Sequence, residues 1–317
     1  MDKLGSVFGE YTARWFARAL GAPTPVQEEA WPAVAAGAHT LVSAPTGTGK
    51  TLSAFLVFVD RLKAESRAGM LSKELRLIYI SPLKSLAGDI RENLRRPLNG
   101  IYEEERRADA APPTAPLDIH IAIRTGDTAP AERRRMIKSP PHILITTPES
   151  LFLMLTSASG QSILRTAQAV IIDELHALIG SKRGAHLMLS LARLDKLCPA
   201  PLQRIGLSAT IEPLHVAAEY LSPDPVTIAA PPMRKAVELS VTSAVPDMHF
   251  LPQGTIWPEL ARAVYEQCGG TRSAIAFVEG RLFAEKLAYY VNQLGGAGFA
   301  LTHHGSVSKE QIGRAHV

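Results

Sequence analysis

The chain has 317 residues, a length that suits about two domains better than a single core. Hydrophobic residues make up 46% of it and charged residues 20%, which is an ordinary globular composition. The net charge of +4 is compatible with an acidic polymer as partner but gives only weak support for one.

The same sequence disfavours the membrane and secretory classes. The apolar run at 52–59 falls far short of the roughly 20 residues that a transmembrane helix needs. The N-terminal segment MDKLGSVFGEYTARWF is interrupted by charge and lacks a signal-peptide core. Cys198 and Cys268 lie far apart and match no metal-binding spacing, so reduced thiols are expected. We therefore expect a cytoplasmic protein with no membrane partner.

Short apolar runs alternate with helix-length segments through the first two thirds of the chain. Six of these runs are predicted to be buried strands: HTLVSA (39–44), LRLIYIS (75–81), LDIHIAI (117–123), PHILITT (141–147), AQAVIID (167–173) and LQRIGLSAT (202–210). Helices are predicted between them, for example at 83–96 and 184–197. Strands buried on both faces that alternate with helices indicate an α/β domain with a parallel sheet.

Four prolines interrupt this pattern in SPDPVTIAAPPMRK, at 222–235. We therefore predict a first domain at 1–222, a linker at 223–236 and a partial second α/β domain at 237–311. In this second domain the strand-like segments are 236–245, 273–280 and 298–304, and helices are predicted around 258–267 and up to residue 293. The charge-rich segments IYEEERRADAAPPTAP and AERRRMIK are expected to be solvated helix faces or loops.

A glycine-rich loop follows the first predicted strand, in APTGTGKT at 44–51. Glycines allow the backbone to approach phosphate closely, and the N–H groups of the following helix N-terminus face the anion. Lys50 would reach the β and γ phosphates of a nucleotide, and Thr51 would hold Mg²⁺. The first glycine of the usual pattern is Ala44 here. The predicted nucleotide-binding residues are Thr46, Gly47, Thr48, Gly49, Lys50 and Thr51.

Two carboxylates follow a later strand, in AVIIDELHAL. Asp173 is placed to hold Mg²⁺, commonly through water, and Glu174 to orient and deprotonate the attacking water. Alone, such a pair would as readily be an acidic first turn of a helix. The segment GLSATI follows a further strand and brings Ser208 and Thr210. Its value lies in the order of the three segments along the chain.

The ordered set GTGKT, DELH and SAT resembles that of superfamily 2 helicases of the DExH branch. Within this branch the chain resembles the large helicase-related (Lhr) family over nearly all of 16–310. The stretches that carry the resemblance are WFARALGAPTPVQEEAWPAV, APTGTGKTLSAFL, YISPLKSLAGDI, RTGDT, TTPESL, DELHALIGSKRGAHL, GLSAT and HHGSVSKE.

The resemblance implies a RecA-like P-loop domain followed by a truncated second RecA-like domain, with ATP and Mg²⁺ as cofactors. It places Gln27 at the adenine edge and either Trp15 or Phe16 on the base. His176, together with the Ser208 and Thr210 pair, is then assigned to the catalytic set, where it would couple the state of the nucleotide to the grip on a strand.

A nucleic-acid face is predicted along the ends of several strands. Ser81, Lys84 and Ser85 could donate to backbone phosphate at a strand end that opens a helix. The resemblance extends this face to RTGDT, TTPES and HHGS. The full predicted set is Ser81, Pro82, Lys84, Ser85, Arg124, Thr125, Gly126, Thr147, Pro148, Glu149, His304, Gly305 and Ser306. Such contacts address the backbone, so binding should be sequence-independent and sensitive to salt.

By this resemblance the protein is an ATP-dependent helicase that moves 3′-to-5′ on single-stranded DNA or an RNA:DNA hybrid, in bacterial DNA repair. Two alternatives stay open. One is a Ski-two-like helicase of the same superfamily, and the other is a nucleotide-gated nucleic-acid-binding module without unwinding activity.

The later motifs of a second helicase domain are not in place. The final EQIGRAHV resembles their arginine motif but follows HHGSVSKE too closely, so Arg314 is not counted as catalytic. One reading frame of a common sequencing adapter encodes IGRAHV, so 312–317 are predicted to be an artefact and the chain an N-terminal fragment. Without the arginine motif we expect the isolated fragment to be nearly inactive.

Overall fold

A computed structural model describes residues 2–82, 87–108, 119–209, 211–232, 238–247, 249, 254–271 and 273–304. The chain divides into two compact units, Met1–Arg234 and Lys235–Val317. No helix in the described ranges combines the length and the hydrophobicity that crossing a lipid bilayer requires.

The first unit is an α/β domain whose strands alternate with helices. Its strands are β1 (His39–Ser43), β2 (Leu77–Ile80), β3 (Ile121–Arg124), β4 (Ile143–Thr146), β5 (Ala169–Ile172), β6 (Gln203–Ser208) and β7 (Val226–Ala229). Its helices are α1 (Asp2–Gly5), α2 (Glu10–Leu20), α3 (Pro25–Ala35), α4 (Lys50–Arg67), α5 (Ala87–Ala108), α6 (Pro130–Lys138), α7 (Pro148–Leu155), α8 (Ala158–Leu164), α9 (Lys182–Leu197) and α10 (Leu214–Leu221), with a 3₁₀ turn at Leu175–Ala177.

The seven strands form one sheet in the order β3-β4-β2-β5-β6-β1-β7, and all of the strand pairs are parallel. The six predicted strands and the parallel α/β class are therefore confirmed. Ile80 at the end of β2 lies opposite both Thr146 and Ile172, and Ser43 lies opposite Ser208. The loops after these strands consequently leave the sheet at one edge.

Side chains that alternate along each strand supply two separate layers of core. In β2, Leu77 and Tyr79 join the cluster that packs under the N-terminal helices α2 to α5. Ile78 and Ile80 join the opposite cluster, under α7, α9 and α10. All four are fully buried, as expected for a sheet with helices on both faces.

Part of the range predicted to be a linker belongs to the sheet instead. Val226–Ala229 forms β7 and pairs with β1, with His39 opposite Val226. The linker prediction at 223–236 is therefore wrong over these four residues. The flanking prolines suggested a break, but they lie outside the strand, and an edge strand tolerates proline at its ends.

The second unit contains two helices, α11 (Trp257–Cys268) and α12 (Arg281–Gly295), as predicted. They pack through Ala261, Leu287 and Val291. The three strand-like segments form no strand in the described residues of this unit. Several of their apolar side chains are solvent-exposed instead, with Val241 at 93% and Phe277 at 92%, although Val245 is buried. A strand needs a hydrogen-bonded neighbour, and these segments have none among the described residues.

Candidate nucleotide and nucleic-acid site

The glycine-rich loop connects β1 to α4 at the common edge of the sheet. Gly47 and Gly49 have φ values of 80° and 85°, in the left-handed region that favours glycine. The hydroxyl of Thr48 donates to the carbonyl of Pro45 across 2.7 Å and closes the loop. Because α4 begins at Lys50, the N–H groups of its first turn lie at this loop. This is the backbone geometry of an anion site.

Lys50 folds back over the loop. Its ammonium donates to the carbonyl of Ala44 across 2.5 Å. Ala44 stands where the usual pattern has glycine, but its backbone has no positive φ, so the methyl group causes no strain there. Of the three threonines predicted to bind the nucleotide, Thr46 is exposed on the loop, Thr48 is buried within it and Thr51 lies in the first turn of α4.

Gln27 contacts the phosphate loop from α3. Its Oε1 accepts the N–H of Thr24 at 3.0 Å and its Nε2 donates to the carbonyl of Gly49 at 3.5 Å. A methyl group on Gly49 would lie 2.5 Å from Nε2, which shows how closely the two segments pack. The Thr24 hydroxyl adds a second link, to the carbonyl of Thr48 at 2.9 Å. The amide retains one hydrogen and one lone pair, so its contact with adenine stays a prediction.

Neither aromatic residue suggested for stacking on adenine presents an open face. Phe16 is 1% exposed and packs edge-on against Trp31, with ring centroids 5.2 Å apart. Trp15 is 4% exposed and lies against Gly100, where a methyl group would come within 2.0 Å of the indole nitrogen. Both side chains belong to the core under α2, so the stacking prediction is wrong for both in this structure.

Asp173 and Glu174 follow β5 at the same edge. The N–H of Glu174 donates to Oδ1 of Asp173 at 2.9 Å. Glu174 has a φ of 49° and is the one non-glycine residue with a positive φ in the described ranges. Such a conformation costs about 1 kcal/mol or more and is found mainly at functional sites. The turn thereby directs two successive carboxylates from a single strand end.

The Tyr79 hydroxyl orients one of the two predicted metal-holding residues and lies near the other. It donates to Oδ2 of Asp173 at 2.6 Å, and the Thr51 side chain is near enough to act on the pKa of the phenol. Burial, together with the charge of Asp173, raises the pKa of Tyr79 well above its usual value, so the phenol stays protonated and acts as the donor. Burial also raises the pKa of Asp173, against the opposing hydrogen bond from Tyr79. Hydroxyl and carboxylate oxygens are the ligands that Mg²⁺ prefers, so this donor set fits that ion.

His176 links the carboxylate pair to the end of β6. The N–H of Ala209 donates to Nδ1 at 3.2 Å, and the Ser208 hydroxyl lies 3.3 Å from the same nitrogen. A backbone N–H can only donate, so Nδ1 is the acceptor and Nε2 carries the hydrogen. Nε2 lies 3.3 Å from Oε2 of Glu174, so its hydrogen faces that carboxylate. The DELH and SAT segments therefore meet at His176, and Thr210 lies outside the described residues.

The first-unit residues predicted for a nucleic-acid face follow β2, β3 and β4, which are neighbours in the sheet. Thr147 is buried and caps α7, accepting the N–H of Ser150. The buried Thr125 donates its N–H to Thr128 in the loop after β3. Most of the predicted side chains here are thus engaged in shaping the loops. The exposed or partly exposed groups are Arg124, Gly126 and Glu149, the buried ones are Ser81, Pro82 and Pro148, and Lys84 and Ser85 lie outside the described residues.

Glu149 is not positioned as a phosphate ligand. Its carboxylate accepts two hydrogen bonds from the guanidinium of Arg183, which hold its pKa below the ordinary value. A carboxylate would repel a phosphate, so the prediction that Glu149 binds nucleic acid directly has no support in this geometry. In the second unit, His304 lies 2.8 Å from Glu285, whereas Gly305 and Ser306 lie outside the described residues.

Sequence reasoning missed two residues of this site. Tyr79 lies in an apolar run and reads there as an ordinary core aromatic. Its only signal was a hydroxyl near the end of a strand that neighbours β5, since a buried phenol usually finds a partner. Arg183 lies in GSKRG, which served as a mark of resemblance without a role. An arginine in the first turn of a helix after the carboxylate pair was the signal available.

A sequence model of the DEAD/DEAH box helicase family matches residues 24–217. The Lhr helicase/probable uracil glycosylase of Mycolicibacterium smegmatis is 44% identical over 98% of this chain, which spans 22% of that protein. The Lhr helicase/uracil glycosylase of Escherichia coli is 40% identical over 97% of the chain, which spans 23% of it. The chain therefore spans under a quarter of the length of these relatives.

Solved structures agree with these sequence relationships. The structure of Mycobacterium smegmatis helicase Lhr bound to ssDNA and AMP-PNP superposes with a TM-score of 0.81 at 46% identity, over 100% of this chain and 40% of that one. The DUF1998 helicase MrfA bound to DNA gives a TM-score of 0.69 at 22% identity, which supports the fold alone. The phosphate loop, the carboxylate pair and the histidine link all fall within the matched range, and the chain belongs to the DEAD/DEAH box helicase family, with its similarity to Lhr helicases extending over nearly its whole length.

Proposed function

We propose that this chain is the nucleotide-binding and strand-binding part of an ATP-driven translocase that unwinds nucleic acid. One observation carries the proposal. His176 joins the carboxylate of Glu174 to the end of β6, at the sheet edge where the phosphate loop and the strand-facing loops also lie. A site that only bound nucleotide would not need this link between a hydrolytic carboxylate and a neighbouring loop.

The hydrolytic step follows from the residues at this edge. ATP would replace the carbonyl of Ala44 as the partner of Lys50, whose ammonium would then contact the β and γ phosphates. Thr51 and Asp173 would hold Mg²⁺, which when bound neutralises charge on the phosphates. Glu174 would orient the attacking water and accept its proton, and His176 would hold that carboxylate in place.

The base of the nucleotide is proposed to lie beside α3 rather than on Trp15 or Phe16. A cleft of about 420 Å³ opens there, with Val7, Pro23 and Pro25 in its lining. The two prolines flank Thr24, whose hydroxyl contacts the phosphate loop. The volume lies in the range of small-molecule sites. Five of the eight lining residues are apolar, which suits an adenine ring, and the lining also includes Glu28 and Glu29.

Single-stranded DNA is the proposed polymer, through its backbone. Support comes from the loops after β2, β3 and β4, which lie side by side, and from the ssDNA in the related Lhr structure. An RNA:DNA hybrid is a second substrate that backbone contacts would accept. Binding of this kind weakens steeply with salt because it releases counterions.

The wider setting is also a proposal. We assign 1–222 with β7 to a RecA-like ATP-binding domain and 237–311 to part of a second RecA-like domain. Alternating contact of two such domains with a strand would convert hydrolysis into movement. A cytoplasmic role in DNA repair is supported by the two relatives whose names join a helicase with a uracil glycosylase.

The decisive test is ATP hydrolysis with and without single-stranded DNA, measured on this chain and on the full product of its gene. Strong stimulation that disappears in Lys50→Ala and Glu174→Gln is expected for a motor. Glu174→Gln should still bind nucleotide, because it removes the proton acceptor and leaves the phosphate loop intact. In the full product of the gene, nucleotide-dependent strand binding without stimulated hydrolysis would contradict the motor and support a nucleotide-gated binding module.

A further inference from the structure

One guanidinium group on α9 contacts two other segments of the first unit. Arg183, in the first turn of α9, donates from Nε to Oε1 of Glu149 at 2.5 Å and from Nη2 to Oε2 at 3.1 Å. Its Nη1 donates to the carbonyl of Pro82 at 2.7 Å. Glu149 lies in the first turn of α7, after β4, and Pro82 follows β2. Arg183 therefore spans the two neighbouring strand-end loops proposed to face nucleic acid.

The chain between Glu174 and Arg183 is closely packed. The Ser181 hydroxyl donates to the carbonyl of Leu178 at 2.7 Å, and Ser181 Oγ accepts the N–H of Gly184 at 3.0 Å. A methyl group on Gly184 would lie 2.0 Å from the carbonyl oxygen of Leu178, so α9 begins directly against the 3₁₀ turn that follows Glu174. A movement of the Glu174 turn would consequently be passed to the guanidinium of Arg183.

The charge on Glu149 gives this contact a purpose besides packing. A carboxylate at the start of α7 would repel a nucleic-acid backbone if it were unpaired. The bidentate guanidinium neutralises it and fixes its direction, a geometry that arginine supplies and lysine does not. The pair is also partly exposed, with side chains 38% and 54% accessible, so it contributes little to the stability of the fold.

We propose that Arg183 is a positioning residue that transmits the nucleotide state at Glu174 to the strand-facing loops at Pro82 and Glu149. This inference rests on the proposed function, because it assigns those loops to strand contact. Arg183 acts through Glu149 and Pro82. A change at the Glu174 turn would shift α9 and, through the guanidinium fork, the first turn of α7.

Hydrogen–deuterium exchange tests the transmission from the Glu174 turn to α7 in the absence of nucleic acid. Peptides from α7 are followed before and after addition of AMP-PNP with Mg²⁺. In the parent protein we expect a nucleotide-dependent change in exchange in the first turn of α7, lost in Arg183→Gln. Lys196→Gln, which removes an exposed cation near the end of the same helix, is the matched control and should keep the change. An unaltered response in Arg183→Gln, or no response in the parent, would overturn the proposal.

Strand-stimulated hydrolysis gives the second readout. For Arg183→Gln the concentration of single-stranded DNA at half-maximal stimulation should rise by about tenfold, with the KM for ATP within about twofold. Arg183→Lys should not restore it, because an ammonium cannot make the fork. Full rescue by lysine would show that positive charge alone is sufficient and would contradict a role for the bidentate contact with Glu149. The parent protein could show the nucleotide-dependent change in exchange but no strand-stimulated hydrolysis. That result would support the role of Arg183 and contradict the proposed motor function.

The fold itself should survive the change. Because the pair is partly exposed, the melting temperature of Arg183→Gln should stay within about 2 °C of the parent. A larger fall would indicate that Arg183 acts on the stability of the domain, which would overturn its assignment as a transmitting residue.

Discussion

The phenolic hydroxyl of Tyr79 donates to Oδ2 of Asp173 across 2.6 Å, inside a strand whose other side chains are wholly apolar. The Thr51 side chain lies near the same hydroxyl, in the first turn of α4. One phenol in β2 thus orients the carboxylate of Asp173 beside a residue that follows the phosphate loop. Groups that orient metal ligands in this way matter almost as much as the ligands themselves.

Tyr79→Phe is expected to weaken Mg²⁺-dependent nucleotide binding. The change removes one oxygen and keeps the ring in the core, so the orientation of Asp173 is what it alters. Loss of such an outer partner typically costs about 10- to 100-fold in metal affinity or activity. The measurement is the Mg²⁺ concentration for half-maximal binding of a fluorescent ATP analogue. An unchanged Mg²⁺ dependence would mean that the carboxylate is held without Tyr79.

Tyr220→Phe provides the matched control. Its hydroxyl is also buried, and it has no hydrogen-bond partner among the described residues. Burial raises the pKa of Tyr220 as well, so both phenols are protonated at neutral pH. Removing an unsatisfied hydroxyl should leave Mg²⁺ dependence unchanged and stabilise the fold by up to about 1 kcal/mol. Equal effects of the two substitutions on Mg²⁺ dependence would point to packing rather than to the contact with Asp173.

His176→Ala should slow strand-stimulated hydrolysis while sparing ATP binding. The variant loses the hydrogen bond from Ala209 and the contact with Glu174. Two lost hydrogen bonds of about 1 kcal/mol each correspond to a fall in kcat of roughly 30-fold. Steady-state hydrolysis with saturating single-stranded DNA measures this fall, and the KM for ATP should stay within about twofold.

His186→Ala is the control for that substitution. His186 lies on α9 and packs against Phe152, with ring centroids 4.7 Å apart, and it makes no contact with the carboxylate pair. Its loss should leave kcat nearly unchanged. A similar kcat for His176→Ala and the parent would show that the link between the DELH and SAT segments is dispensable.

The strands of the first unit could be predicted because their signal is local. A run such as PHILITT is apolar on both faces, and that pattern indicates a strand covered by helices on each side. β7 was not predicted because it has only four residues and is flanked by prolines, and because its pairing with β1 depends on a distant segment. The strand predictions for the second unit were wrong in the described residues for a different reason. Their propensity is right, but no neighbouring strand pairs with them among the described residues.

In the candidate site, too, the residues of contiguous motifs could be predicted and those that depend on distant partners could not. The phosphate loop and the carboxylate pair are short contiguous motifs, so residue type and order were enough to bring Lys50 and Asp173 to one edge. Tyr79 and Arg183 act on partners 94 and 34 residues away in sequence. Such a contact depends on strand order and on helix position, which a single sequence does not display. Glu149 was misjudged for this reason, since its partner is what determines its role.

Stability of the first unit should depend on the buried pair formed by Lys63 and Glu105. Their side chains are 1% and 2% exposed, and Arg67 binds the other carboxylate oxygen of Glu105. Glu105→Gln would leave a buried ammonium without a counter-charge. We expect the free energy of unfolding to fall by about 3–5 kcal/mol, measured by urea denaturation. Glu103→Gln, on the same helix in an exposed pair, should change it by less than about 0.5 kcal/mol.

Two helical glycines should respond to alanine with opposite signs. Gly184 lies in the first turn of α9, where a methyl group would meet the carbonyl oxygen of Leu178 at 2.0 Å and the Tyr220 hydroxyl at 2.3 Å. Because one of these atoms is backbone, Gly184→Ala should destabilise the unit by about 1–3 kcal/mol. Gly88, near the start of α5, has no described residue within 4 Å of an added methyl group, so Gly88→Ala should stabilise the unit by roughly 0.5–1 kcal/mol.

Gly184→Ala also tests how the start of α9 supports the turn at Glu174. Overpacking at this point would push the helix away from the 3₁₀ turn, and the carboxylate of Glu174 would lose its position beside His176. The melting temperature and the rate of strand-stimulated ATP hydrolysis should therefore both be lower in Gly184→Ala. The rate should be lower even at temperatures where the variant is fully folded. A folded variant with the parent's rate would show that the turn holds its geometry independently of α9.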